Sequence, residues 1–425
     1  MKNFLILLFI FVFLAGCTVN PKAPDTTPLP SDEWQKDELP NNSPPIEEPS
    51  QEEEEIDEES EEEKLLHSMT VQEKIGQLLM VGFQPNTPKE QLAELIQKYK
   101  VGGFIFFARN YESFDDLYHL TKELNELNRD NKVPLFLSVD AEGGTVHHIP
   151  KGATRIPDAR TLGKTGDPAL TEKAGEVIGR ELAAGGINMD MAPVLDIVVD
   201  PNNKLMLRRA YGDDPQTVRE HGLAFAKGLK SQHVIAVAKH FPGHGDTSVD
   251  SHKGLPIIDI PPELWWNREV LPFQAAIRES VDAIMVGHIS FPQLDPTGLP
   301  ASQSKVFLQD ILRKQLGFEG LLITDDIEME GFAQDQGIAK AALASFQAGV
   351  DVLLVCHTYE VQLEVLRILT ESVESGEILE ERLNESVLRI LKLKSGLKDF
   401  PSYPLKEARE IYGNPDHREA FEGIK

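Results

Sequence analysis

The chain has 425 residues, 41% of them hydrophobic, with 69 acidic against 42 basic side chains, a formal net charge of −27 and two cysteines. That length is enough to bury a sizeable core, and the acidic balance gives no footprint for a nucleic-acid partner.

Residues 1–17 carry Lys2, an apolar run from Phe4 to Leu14, then Leu14-Ala15-Gly16-Cys17. The run is short for a spanning helix and ends in small residues, the pattern of a secretory signal. Small residues immediately before a Cys resemble the lipobox of bacterial lipoproteins, which implies lipidation of Cys17 and an extracytoplasmic, membrane-anchored protein. Cys356 is then the remaining thiol, so no internal disulfide is expected in the monomer. Residues 18–63 are rich in Pro, Ser, Asn and Glu, with 17 acidic residues opposed by Lys22 and Lys36. Dense like charge and low hydrophobicity predict a disordered, extended spacer.

From Lys64 onward, apolar runs at Leu78–Val81, Gly103–Phe107, Leu135–Val139, Ile187–Ala192, Val234–Ala238, Ala283–Val286, Leu321–Thr324 and Val350–Val355 read as eight buried strands. Between them, helical periodicity covers Lys89–Tyr99, Phe114–Asn128, Ala169–Ala184, Pro215–Gln232, Pro262–Glu279, Val306–Leu316 and Gly337–Ala348; Tyr359–Ser372 and Glu377–Lys394 follow the last strand. This alternation predicts an α/β fold, a (β/α)8 TIM-type barrel over 64–400, with 401–425 as a polar tail packed on its surface. The runner-up is an open doubly wound sheet, but no G-x-G-x-x-G or P-loop follows a strand.

A barrel of this type places its site at the C-terminal strand ends. Those ends supply Asp140 and Glu142, Asp190 and Asp196, Lys239 and His240, His288, and Asp325 and Asp326. The loop after Val234–Ala238 adds His244, Asp246, Asp250 and His252, with Gly243 and Gly245 marking it as a turn. Several His and Asp could ligate zinc, yet Phe241-Pro242-Gly243 separates His240 from His244 and no H-E-x-x-H is present, so no metal is expected. A sugar-processing enzyme needs a carboxylate nucleophile, a separate proton donor and polar groups to grip hydroxyls. A barrel that only binds glycan needs the grip alone. The pairing of Asp325 with a loop histidine favours the enzyme.

The runs KHFPGHGDTSVDSH (239–252), GLLITDDIEM (320–329) and VDAEGG (139–144) resemble glycoside hydrolase family 3, in particular its bacterial β-N-acetylglucosaminidase branch, over about Lys64 to Leu397. The resemblance implies Asp325 as nucleophile, His252 as general acid/base oriented by Asp250, and Asp140, Arg209, Lys239 and His240 as sugar-binding residues. It implies a retaining exo-enzyme acting on terminal β-linked N-acetylglucosamine of muropeptides or other amino-sugar glycans, with no cofactor. A monomer is expected. Lys239 is expected to keep Asp325 ionised, and Asp250 to favour the imidazolium of His252. Two positions depart from the family pattern: Thr145 and His148 stand where it has arginines. Phosphate in place of water, a β-glucoside or β-xyloside substrate, and a glycan-binding lipoprotein remain as alternatives.

Overall fold

The structure, a computed structural model, describes residues 59–247, 254–333 and 336–424; the 1–17 signal with Cys17, the 18–63 spacer up to Glu58, and Asp250 and His252 lie outside the described residues. Eight parallel strands close into a barrel: β1 (Leu79–Val81), β2 (Gly103–Phe106), β3 (Phe136–Val139), β6 (Met189–Asp190), β7 (Ile235–Phe241), β8 (Ala283–Val286), β9 (Leu321–Asp326) and β10 (Val352–Val355). Their order round the barrel is β1-β10-β9-β8-β7-β6-β3-β2, and a small antiparallel hairpin, β4 (Ala141–Gly143) with β5 (Val146–His147), follows β3. Val81 pairs with Phe104 on one side and with Val355 on the other, the contact that closes the ring.

The strands read as continuous apolar runs because both faces are covered, by side chains filling the barrel and by the surrounding helices. Phe104, Phe136, Phe241, Phe307 and Phe346 are all fully buried between those layers. The fourth expected strand shrinks to Met189–Asp190, and the Asn188 amide takes over part of the ladder, accepting from Leu137 N at 2.8 Å and donating to Leu135 O at 3.0 Å.

Two strands run further than their apolar cores. β7 continues through Lys239, His240 and Phe241, and β9 through Asp325 and Asp326. The ionisable side chains therefore project from the barrel wall itself, a more rigid mount than a loop.

Other boundaries also differ from the sequence reading. Folded structure begins before Lys64: Ser60 caps a helix at Glu61–His67, with its hydroxyl accepting from Glu63 N and the Glu63 carboxylate accepting from Ser60 N. The last glutamates of the acidic run thus form a first helical turn, where negative charge is favoured. Pro262–Glu279 is two helices, Pro262–Asn267 and Val270–Arg278, broken where Arg268 and Glu269 turn to an ion cluster. Val306–Gln315 is wound as a π-helix. In the tail, Tyr412 stacks on Phe114 at 4.2 Å, and His417 Nδ1 lies 2.9 Å from Glu181 Oε1.

Candidate active site

Strand ends on one rim of the barrel surround a cavity of about 420 Å³, lined by Asp140, Arg209, Lys239, His240, Asp325 and Asp326, with His148, Leu205, Met329 and His357 among its other walls. Five of the seven residues expected at the site from the sequence meet here, and the other two, Asp250 and His252, lie outside the described residues.

Lys239 organises one side. Its side chain is 2% exposed, with Nζ 2.5 Å from Asp140 Oδ1 and 2.8 Å from Glu142 Oε1. Glu142 also accepts a two-pronged contact from Arg209, at 2.8 Å to Nε and 2.6 Å to Nη2. Burial pushes the Glu142 carboxyl up, but Lys239 and Arg209 outweigh it and hold it well below the usual carboxylate range. Lys239 is correspondingly held above its ordinary value by Asp140 and Glu142, against burial. Two cations and two carboxylates form a closed, neutral cluster whose Asp140 edge is open to the cavity.

His240 is aimed by Asp196, which is wholly buried: Nδ1 donates to Asp196 Oδ2 at 2.7 Å, and Nε2 lies 3.4 Å from Arg209 Nη2. The Lys239–His240 peptide is cis, and both side chains line the cavity. Asp196 Oδ1 also accepts His244 N at 2.6 Å, pinning the start of the loop. Glycine is required at that turn. Gly243 adopts φ +120°, and a Cβ on Gly245 would come within 1.7 Å of the Ile197 carbonyl oxygen. Just beyond, Arg268 Nη2 donates to Asp246 Oδ2 and Arg268 Nε to Glu269 Oε1, each at 2.5 Å.

Asp325 reaches the cavity from the end of β9. Burial pushes its carboxyl up, but His240, His288 and the N–H of Asp326 together outweigh it and leave it below the ordinary aspartate range. Lys239 also lowers the Asp325 carboxyl, as the sequence led us to expect, but it is not the main cause. Lys239 contributes least of the named groups, because its charge is taken up by Asp140 and Glu142. His288 is fully buried and serves as support, with Nε2 donating to Asp326 O at 3.0 Å and Nδ1 2.8 Å from Ser302 Oγ.

Asp190 lies beneath the cluster. It is wholly buried, Oδ1 accepts Ala141 N at 2.9 Å, and Oδ2 has no hydrogen-bond partner among the described residues. Burial, with Asp140 and Glu142 adding to it, raises its pKa to about 8. A raised carboxyl favours the folded state while protonated in both states, and that advantage is lost as pH rises from about 4 to about 8. Asp190→Asn keeps the shape and the acceptor, so turnover at pH 6–7 is expected to stay within about twofold and the fall in Tm between pH 5 and 8 to flatten. A tenfold or greater loss of turnover at roughly pH 6 would instead mean that Asp190 works ionised.

Some cavity residues escaped the sequence reading. His357 lines the cavity two residues after β10, and Phe107 directly after β2. The signal was available at the eighth strand, where an ionisable residue stands two positions after Val355. His148, at one of the departures from the family pattern, lines the cavity with its ring 5.7 Å from Phe107.

Residues 70–393 match the family model for the N-terminal domain of glycosyl hydrolase family 3. A beta-hexosaminidase A of Pseudoalteromonas piscicida is 33% identical over 390 residues, covering 82% of this chain and 65% of that protein, so the chain spans less than two thirds of that relative's length. Among solved structures, a glycoside hydrolase family 3 beta-N-acetylglucosaminidase from Paenibacillus sp. str. FPU-7 superposes with a TM-score of 0.81 at 37% identity, over 84% of this chain and 68% of that one. The beta-glucoside phosphorylase BglX gives a TM-score of 0.77 at 26% identity, over 84% of this chain and 65% of that one.

Proposed function

The chain belongs to glycoside hydrolase family 3, and from that premise we propose that it is a retaining exo-β-N-acetylglucosaminidase. The observation that carries the reading is Asp325, held in its ionised form at the wall of a cavity gripped by Asp140, Arg209, Lys239 and His240. A carboxylate in that state is what attack on an anomeric carbon requires, with formation of a glycosyl ester and departure of the aglycone. His252, oriented by Asp250, would protonate the leaving oxygen and then take the proton of the incoming water.

A cavity of about 420 Å³ is at the small end for ligand sites, which fits one terminal sugar better than an internal stretch of polymer. The amino-sugar preference rests on the relatives named as a beta-hexosaminidase and a beta-N-acetylglucosaminidase. Muropeptides or related envelope glycans follow as substrates if Cys17 is lipidated and the protein is anchored outside the cytoplasm; release of the protein from membranes after Cys17→Ala tests the anchor.

The likeness to a phosphorylase gives a second reading, in which phosphate cleaves the ester. One assay separates the readings: the full chain with a chromogenic β-N-acetylglucosaminide and the matching β-glucoside, each with and without phosphate. Preferential release from the amino sugar, independent of phosphate, is expected. A sugar 1-phosphate product would make the protein a phosphorylase, and binding of glycan without turnover of either substrate would make it a binding protein.

A further inference from the structure

Asp325 is followed by a second aspartate that the cavity does not need for charge. Asp326 is instead fully engaged: Oδ1 accepts Cys356 N at 3.2 Å and Glu328 N at 3.1 Å, Oδ2 lies 2.9 Å from His357 Nε2, and its own N–H donates to Asp325 Oδ1 at 2.8 Å. Behind His357 stands Arg109, whose Nη2 is 3.0 Å from His357 Nδ1 and 2.9 Å from Cys356 O. The guanidinium is packed on Phe107, 4.1 Å from the ring centroid.

A guanidinium only donates. Arg109 therefore makes Nδ1 of His357 an acceptor and leaves Nε2–H to donate to Asp326. The His357 backbone is fixed too, its N–H donating to Glu328 Oε2 at 2.6 Å. A directed chain thus runs from Arg109 after β2, through His357 after β10, to Asp326 and Asp325 at the end of β9. Its last bond occupies Asp325 Oδ1, and among the described residues Oδ2 accepts no hydrogen bond. We infer that His357 is a positioning residue that holds the Asp325 carboxylate in its attacking orientation by fixing Asp326, with Arg109 selecting the ring tautomer.

This inference rests on the reading of Asp325 as nucleophile. The His357 side chain is 39% exposed at the cavity wall, so its removal disturbs little packing and its hydrogen bond can be tested separately. His357→Leu deletes the donor, whereas His357→Gln offers an amide N–H at similar reach. In His357→Leu, kcat is expected to fall roughly 30-fold with KM within about twofold, and the acidic limb of kcat/KM to move to higher pH as the Asp326 N–H loses its alignment. His357→Gln should recover most of both.

A readout without turnover is the titration of the Asp325 carboxyl by NMR in full-length protein carrying 13C-labelled aspartate, its signal assigned by loss in Asp325→Asn. The Asp325 titration should move up in His357→Leu and return in His357→Gln; if it is unmoved in His357→Leu, the relay is wrong. A rise in KM with unchanged kcat would also overturn it, since His357 would then be a substrate contact. If the wild type turns over no β-glycoside but the titration moves, the proposed function fails and the relay stands. Should His357→Leu not fold, Arg109→Lys is read in its place; it keeps the charge but not the fork, and an unmoved Asp325 there counts against the relay.

Discussion

Asp325→Ala is expected to lower kcat on an aryl β-N-acetylglucosaminide roughly 10,000-fold while leaving Tm within about 3 °C of the wild type. The activity loss follows from chemistry that no neighbour can replace. Asp140 and Glu142 are tied to Lys239, Glu142 also to Arg209, Asp196 to His240, and Asp326 to His357. Stability is little affected because Asp325 lines a cavity, so the truncated side chain gives up little packing and the modest advantage of its depressed carboxyl. Azide is small enough to enter the space vacated by the carboxyl, and attack from the same side as Asp325 should give an α-glycosyl azide. Formation of the β-azide, or residual activity above about a tenth of wild type, would remove Asp325 from the nucleophile's role.

Lys239→Met is expected to cost both fold and function. Its ammonium lies within 2.8 Å of two carboxylates, with 2% of the side chain exposed, so its removal leaves a buried excess of negative charge. Breaking such a pair by deleting one partner typically costs about 3–5 kcal/mol, which predicts a drop in Tm of roughly 4–7 °C, with kcat/KM reduced at least about 100-fold. Adding Glu142→Gln should restore a good part of the stability, because one of the stranded charges goes with it, but none of the activity, because the double variant still lacks the cation that orients Asp140. A Tm for Lys239→Met equal to that of the wild type, measured by calorimetry, would show that Asp140 and Glu142 do not depend on Lys239.

The barrel was legible because a strand covered on both faces has almost no freedom of composition. Val352–Val355 and Ala283–Val286 have to be apolar at every position, and such runs stand out at regular spacing. Their ends were legible as well, since Lys239-His240 and Asp325-Asp326 interrupt apolar runs with charge. Less legible were elements whose identity depends on partners. The helix at Glu61–His67 lay hidden in an acidic run until Ser60 and Glu63 capped it, and the break at Arg268-Glu269 made sense only against Asp246. The chain by itself therefore determined the architecture and the rim on which the chemistry sits, because those follow from local apolar patterning. Only the tertiary structure decided which charge answers which. Lys239 meets Asp140 across 99 residues of sequence once β6 has paired with both β3 and β7, and Arg109 meets His357 across 248 only once β1 has paired with β2 and β10 to close the barrel.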